Sequence, residues 1–157
     1  MPTANRVASY IIRWFQDRED PITNLKLQKL LYYVQGWHLG LKGRPAFDGR
    51  FVAWVHGPVN LDVYHEYKPY RWSAVDAEEP EVLDLDPDLV AHIESVLDVY
   101  GGDSAVSLEQ RTHTEEPWLE ARGNLPPDAD CRKTISEETM TSFFKSQAKD
   151  AEADSEG

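Results

Sequence analysis

The run from Leu25 to Tyr67 constrains the fold of this 157-residue chain more than any other feature. It begins with the letters LKLQKLLYYVQGWHL, in which apolar residues recur at spacings of three and four, as on one face of an α-helix. Thr23 is a good N-cap, and Gly40 and Gly43 are typical of a helix end. We therefore predict a helix over residues 24–41, with an apolar stripe formed by Leu27, Leu30, Leu31, Val34, His38 and Leu41.

Two turn signals follow this helix. Asp48-Gly49 is typical of a two-residue hairpin turn, because a type I′ turn needs a positive φ at both central positions. Residues 46–47 and 50–51 would flank the turn in a small β-hairpin, and a short strand would continue through residue 55. Gly57-Pro58 then breaks the strand, and Pro58 suits the first turn of a helix that ends at Tyr67.

The remaining sequence predicts further helices. Apolar spacing predicts a first helix over residues 6–16, and Asp86-Pro87 starts another that ends before Gly101-Gly102. Residues 104–113 form a short helix, after which Thr114 caps one more, and Thr134-x-x-Glu137 is a capping-box pattern that precedes the last. Together these signals predict a mainly α fold, a single globular domain of six or seven helices with a short β-hairpin or ribbon.

The end of the chain has a different composition. Residues 147–157 are small, acidic and poor in apolar side chains, so burial cannot offset the entropy that they would lose on ordering. We therefore divide the chain into a folded domain at residues 1–145 and a disordered acidic tail at residues 146–157.

Charge is distributed unevenly. Residues 1–71 carry a net charge of +4 and residues 72–157 a net charge of −16, for a total of −12. No basic residue lies between Arg71 and Arg111, whereas eleven acidic residues lie from Asp76 to Glu109. Such a field repels phosphate and attracts basic partners, so we expect a protein partner and no direct binding of nucleic acid. The candidate basic patch is small for a nucleic-acid face and consists of Lys26, Lys29, Lys42, Arg44 and Arg50.

The sequence also bears on compartment. The segment MPTANRVASY lacks the apolar core of a signal peptide, and no apolar run approaches the roughly 18 residues of a membrane span. The single cysteine, Cys131, excludes an internal disulfide, and we interpret it as a free structural thiol. We expect a cytoplasmic protein with no membrane partner.

Five histidines are the main candidates for chemistry: His38, His56, His65, His92 and His113. None has a metal-ligand spacing, and no P-loop or nucleophile motif is present, so we predict no metal, no cofactor and no catalysis. We assign His38 to the core, and His65 and His92 to helix surfaces. His56 and His113 lie at turns near carboxylates, where an imidazole could act as a general base or join two turns by hydrogen bonds. The lack of a nucleophile or an oxyanion loop favours the structural interpretation.

Aromatic residues are numerous, with five Trp, seven Tyr and five Phe. Those near the Gly-Pro corner are difficult to bury all at once, and aromatic side chains dominate binding hot spots. We therefore predict a partner-binding surface around this corner, formed by Trp54, His56, Tyr64, Tyr67, Tyr70 and Trp72.

Three blocks of the sequence resemble a known family. The blocks are LKLQKLLYYVQGWHLG, FVAWVHGPVNLDVYHEY and THTEEPWLEAR, in that order. They are similar to the Panacea domain of the SocA-like antitoxins, which belong to bacterial and phage toxin–antitoxin pairs. The resemblance extends from about residue 4 to residue 144 and identifies residues 1–145 as the antitoxin domain. Its blocks contain Gly57, Pro58, His113 and Trp118, which we assign to a shared structural corner.

The resemblance implies a function that the residues alone do not. Members of this family are chaperone-like, and they neutralise a cognate toxin by direct binding. Neutralisation proceeds by masking the toxin or by delivering it to an AAA+ protease such as ClpXP, as a proteolytic adaptor. Two alternatives remain at this point: a small hydrolase that uses His56, His113 and a carboxylate, and a phage-associated regulatory module.

Overall fold

The computed structural model describes residues 1–77 and 84–156, with side chains through residue 153. Within these residues the chain forms one mainly α domain of seven helices and a two-stranded antiparallel hairpin, as the sequence predicts. The elements in chain order are α1 (Ala4–Asp17), α2 (Asn24–Lys42), β1 (Val52–Trp54), β2 (Gly57–Val59), α3 (Leu61–Tyr67), α4 (Pro87–Tyr100), α5 (Ala105–Thr112), α6 (Glu116–Arg122) and α7 (Glu137–Glu156). A 3₁₀ turn, Lys68–Tyr70, follows α3 directly.

Helix α2 is the central helix of the domain. Thr23 caps its start by accepting a hydrogen bond from the Lys26 amide at 3.3 Å, and Gly43 ends it in the left-handed conformation. The predicted bounds are therefore confirmed to within one residue. Its burial is wider than the predicted stripe, because Tyr32, Tyr33 and several polar side chains are buried as well, but Leu41, which was predicted as part of the stripe, is exposed. A helix that is buried on nearly all sides is a core helix around which the others pack.

Helix α7 packs along α2 through two glycines. A Cβ added at Gly36 would lie 2.1 Å from Phe144 Cε2, and one added at Gly40 would lie 2.6 Å from Phe144 Cβ. The Phe144 ring therefore occupies the space that larger residues would fill, next to Tyr32 and Tyr33. The second of these tyrosines stacks on Tyr100 of α4, with ring centroids 4.1 Å apart. Close approach of two helix backbones thus requires glycine on α2.

The hairpin exists, but its predicted position is wrong. The turn lies between Trp54 and Gly57, which are paired in register, and not at Asp48-Gly49. Gly57 supplies the positive φ, 101°, whereas Gly49 is required for space, since an added Cβ would lie 2.8 Å from Asn60 Nδ2. Residues 133–135 also pair with this region, because the Ala53 amide donates to the Lys133 carbonyl at 2.9 Å.

Three predicted helix starts also differ from the structure. Pro58 lies in β2, and α3 begins after Asn60, whose side-chain oxygen accepts from the Val63 amide at 3.0 Å. Thr114 donates its hydroxyl to the Arg111 carbonyl and does not cap α6. Thr134 bridges to the hairpin, so the cap of α7 is Ser136, which accepts from the Thr139 amide. At Pro58 and Thr134 pairing of the backbone overrides the local sequence signal, whereas at Thr114 a different local hydrogen bond replaces the predicted cap.

The predicted locations of the histidines are confirmed for His38 and His65 and wrong for His92. His38 is buried, as predicted, and its Nδ1 lies 2.6 Å from the Arg44 carbonyl oxygen. His92 was assigned to a surface but is buried, with its Nε2 2.9 Å from the Val34 carbonyl oxygen. The two rings meet edge to face with centroids 5.0 Å apart, which explains the burial of both. His65 is exposed and Cys131 is a buried free thiol, both as predicted.

Helix α7 continues to Glu156. The sequence, in contrast, predicts no regular structure from residue 146 onward. Its last turns contain alanine, glutamate and lysine without proline or glycine, and such residues favour a helical backbone. The sequence predicted disorder because these residues have little apolar surface to bury, and the side chains of residues 149–153 are exposed. The boundary between domain and tail therefore remains a prediction.

Deletion of residues 147–157 should leave the melting temperature within about 2 °C of the full chain, because these side chains contribute little buried apolar area. Thermal unfolding followed by circular dichroism measures this. A matched control deletion from residue 143 also removes Phe144 from its place against α2 and should destabilise strongly. A fall of many degrees in the shorter deletion would show that the end of α7 docks on the domain.

In residues 1–77 and 84–156, no helix is both long enough and apolar enough to cross a membrane.

Candidate partner-binding site

The corner between β1 and β2 is braced by three side chains from other elements. Lys29 of α2 donates its ammonium to the Pro58 carbonyl at 3.0 Å. Trp118 and Arg122 of α6 donate to the carbonyls of Trp54 and Ala53, at 2.8 and 3.0 Å. A buried carbonyl without a donor would cost free energy, so these bonds stabilise a hairpin of only three residue pairs.

Gly57 fits this corner for two reasons. Its φ of 101° is a conformation that side chains rarely adopt. A Cβ at this position would also lie 2.7 Å from Lys29 Cε and 2.9 Å from Thr112 Oγ1. Pro58 follows it in β2 and is buried as well.

The two histidines of the hydrolase alternative both lie beside Glu109 of α5. His56 Nδ1 is 2.5 Å from Glu109 Oε1, which joins the hairpin turn to α5. The His113 ring stacks on Trp118 with centroids 4.1 Å apart, and its Nε2 is buried with no hydrogen-bond partner among the described residues. Burial lowers the pKa of His113, and the nearby Glu109 carboxylate opposes that effect. These contacts join α5, α6 and the hairpin at one corner.

Lys29 is the most unusual ionisable group here, since its side chain is 0% exposed. Burial lowers its pKa to about 7, and the Glu109 carboxylate partly opposes the shift. In the unfolded chain the pKa of a lysine is near 10.5, so between these values the unfolded state binds more protons than the folded state. The free energy of unfolding must then increase as pH rises through this window.

We expect the unfolding free energy to increase by roughly 2 kcal/mol between pH 7.5 and pH 9.0, as measured by urea titration. Glu115, whose pKa burial raises to about 7, titrates mainly below this window. Lys26, whose pKa burial also lowers, contributes in the same direction. A Lys29→Met variant should therefore lose most of the increase but not all of it. An equal increase in the variant would show that Lys29 is not the group responsible.

Next to this corner lies an open groove of about 440 Å³. Trp54 and Tyr64 meet edge to face in it, with ring centroids 4.8 Å apart. The start of α2 forms the opposite wall, and the segment after α3 forms the rim. The residues lining the groove are Thr23, Asn24, Leu25, Gln28, Trp54, His56, Val59, Tyr64, Lys68, Arg71 and Trp72. Its surface is mostly apolar and includes three aromatic rings, which is the type of surface that binds an inserted side chain.

A tight turn presents the rim of the groove. The Ser73 amide donates to the Tyr70 carbonyl at 2.9 Å, which closes a β-turn with Arg71 and Trp72 at its two central positions. Arg71 has φ 54° and ψ −115°, the conformation of the first central residue of a type II′ turn. Glycine dominates this position, and a larger residue in so sparsely populated a region is strained by about 1–3 kcal/mol. Trp72, at the second position, is 85% exposed.

The structure brings four of the six predicted contact residues to this groove, namely Trp54, His56, Tyr64 and Trp72. Tyr67 was predicted as a contact, but its side chain is 0% exposed and packs in the core, so its ring supports the surface from below. Tyr70 is half-buried and lies against Tyr67, with ring centroids 6.2 Å apart.

Three residues at this site were not predicted to have these roles. Lys68 and Arg71 line the groove, and the segment Lys-Pro-Tyr-Arg-Trp that contains them was the signal available. Lys29 was assigned to an exposed basic patch, whereas it is buried beneath the corner. Its alternation with leucine on α2 gave no indication of this, because lysines are almost always exposed.

Comparison with known proteins supplies a family. The sequence model described as "Antitoxin SocA-like, Panacea domain" matches residues 27–119, which include most of α2, the hairpin and α3 to α5, as well as the first residues of α6. The chain is 34% identical over 127 residues to "Antitoxin SocA" of Caulobacter vibrioides (strain NA1000 / CB15N), a match that covers 73% of this chain and 68% of that protein. No solved structure matches the chain.

Proposed function

The chain belongs to the SocA-like antitoxin family with a Panacea domain, and on that premise we propose that it neutralises a cognate toxin by binding it directly. The observation that supports this best is the aromatic groove beside the hairpin corner. Trp54, Tyr64 and Trp72 line it, and the last of these is 85% exposed. Aromatic side chains in such a setting are the usual anchors of a protein interface.

The rigidity of the corner favours binding at this surface. Lys29, Trp118 and Arg122 hold the hairpin backbone, so the Trp54 ring is positioned before a partner arrives. A surface that is ordered in advance loses less conformational entropy on association. We therefore assign Gly57, Pro58, His113 and Trp118 a supporting role, and the groove residues the role of contact.

Two modes of neutralisation are consistent with direct binding. In the first, the bound antitoxin covers the surface that the toxin uses. In the second, it also delivers the toxin to an AAA+ protease such as ClpXP, and the exposed side chains of residues 149–153 on α7 offer a separate place for that second contact. The half-life of the toxin in cells with and without the protease distinguishes the two modes.

We propose that this role involves no catalysis. His56 and His113 each have a structural explanation, in the contact with Glu109 and in the stacking on Trp118. Elemental analysis of the purified protein should find no stoichiometric metal. A hydrolytic activity that a folded His113→Ala variant loses would instead favour the hydrolase interpretation.

Co-expression tests the proposed function. The gene beside this one should encode a small protein that stops growth when it is expressed alone. Growth should return when this chain is produced with it, and it should not return with a chain whose hairpin cannot form. Continued arrest at full levels of the folded antitoxin would contradict the proposal.

A further inference from the structure

The groove has a charge opposite to that of the rest of the molecule. The chain carries a net charge of −12, yet the charged groups that line the groove are Lys68 and Arg71, with His56 beside them and no carboxylate among the lining residues. Both long side chains are exposed, and within residues 1–77 and 84–156 neither forms an ion pair. A cationic groove on an acidic protein favours an anionic ligand over a cationic one.

The polar side chains that α2 and its cap contribute to the groove already have partners. Asn24 Nδ2 donates to the Tyr64 carbonyl at 3.4 Å, and its oxygen accepts from Gln28 Nε2 at 3.1 Å. Gln28 Oε1 accepts from the Asn60 amide, and Thr23 Oγ1 accepts from the Lys26 amide. The charged donors that remain for a ligand are thus the ammonium of Lys68 and the guanidinium of Arg71, beside the uncharged donors of Trp54, Tyr64 and Trp72.

The backbone at Arg71 is an independent observation that singles out this residue. Gly123 has nearly the same conformation, with φ 60° and ψ −126°, against φ 54° and ψ −115° at Arg71. Glycine occupies one of these two turns, whereas an arginine at the rim of the groove occupies the other in spite of the strain. Strain that is retained in this way is typical of a residue whose side chain has a function.

We propose that the groove binds an acidic segment of the toxin, with one apolar side chain against the Trp54, Tyr64 and Trp72 rings and carboxylates against Lys68 and Arg71. This inference rests on the proposed function and makes it specific. It also reverses the sign of the partner charge that the acidic composition suggests, because the groove and not the whole molecule determines what is bound. Arginine suits the role, since its planar fork accepts a carboxylate in two parallel hydrogen bonds.

Reversing the charge of the groove tests directly whether the bound segment of the toxin is acidic. The purified toxin from the neighbouring gene is titrated with the wild-type chain and with a Lys68→Glu/Arg71→Glu variant. The control variant is Arg132→Glu/Lys133→Glu, which makes the same change in net charge at two exposed residues outside the groove. We expect the groove variant to bind about 100-fold more weakly and the control to stay within about threefold of wild type.

Tighter binding by the groove variant, or equal affinities for both variants, would overturn the inference. Failure of the proposed function looks different, because the wild-type chain itself would then not bind the toxin. The experiment therefore distinguishes a wrong groove from a wrong function.

A second pair of variants removes the concern that charge reversal unfolds the rim. Arg71→Gly relieves the strained backbone, so it should raise the melting temperature by about 2–4 °C while weakening toxin binding at least tenfold. Glu19→Gly is its matched control, since Glu19 is the other non-glycine residue with a positive φ among the described residues and lies outside the groove. It should preserve the affinity. Wild-type affinity in Arg71→Gly would show that the arginine side chain is not used.

Discussion

Replacing Trp72 with alanine should abolish neutralisation of the toxin while leaving the fold intact. The ring is 85% exposed, so its removal costs little of the buried apolar area that stabilises the domain. An aromatic anchor of an interface contributes about 2 kcal/mol or more to binding, which corresponds to roughly a 30-fold loss of affinity. Growth rescue in cells, together with the melting temperature of the purified variant, measures the two effects separately.

Val99→Ala is the control for this substitution. Val99 lies on α4, is also exposed and apolar, and is outside the groove, so its truncation should leave rescue unchanged. Tyr70→Ala is less informative, because Tyr70 packs partly against the core and its loss would affect stability as well. Normal rescue by Trp72→Ala would move the contact elsewhere, and the acidic face at residues 89–98 would be the next surface to examine.

Replacing Gly40 with alanine should lower the unfolding free energy by about 3 kcal/mol, or the melting temperature by roughly 6–12 °C. The added Cβ would lie 2.7 Å from the Lys145 amide nitrogen and from the Phe144 carbonyl carbon. These are backbone atoms of α7, so the clash is relieved only if the whole helix moves away from α2. The large effect follows because that movement also exposes Phe144, which is 1% exposed in the structure.

The direction of this effect is diagnostic. In an ordinary helix interior, glycine to alanine stabilises by roughly 1 kcal/mol, so a large loss reports the contact and not the helix. Gly102→Ala is the matched control, because a Cβ at Gly102 meets nothing within 4 Å and should be nearly neutral. Stability at or above that of wild type in Gly40→Ala would mean that α7 does not pack on α2 as described.

The parts of the fold that the sequence predicts are those with local causes. Helix α2 begins at a hydroxyl cap and ends at a left-handed glycine, and both signals lie within a few residues of the helix ends. Helix α4 is also delimited by local signals, since the Asp86 side chain caps its start and Gly101 follows its last residue. The misplaced hairpin has a non-local cause, since Lys29 and Thr112 come from distant parts of the chain to surround Gly57.

The location of the groove was predictable from the sequence, but the exposure of its individual residues was not. An excess of aromatic residues near one corner indicates a surface, and four of the six predicted residues line it. Sequence alone could not decide which rings are exposed, so Tyr67 and Trp72 were treated alike although they lie at the two extremes of burial. The cationic rim depends on the backbone conformation of Arg71, which no local pattern predicts because that conformation disfavours arginine.

Direct titration of the purified chain with the purified product of the neighbouring gene tests the central claim most directly. Neutralisation by contact predicts saturable binding with a Kd below about 1 μM, and weaker binding once Trp72 is replaced by alanine. Growth rescue in cells without any measurable complex between the two purified proteins would contradict neutralisation by direct binding.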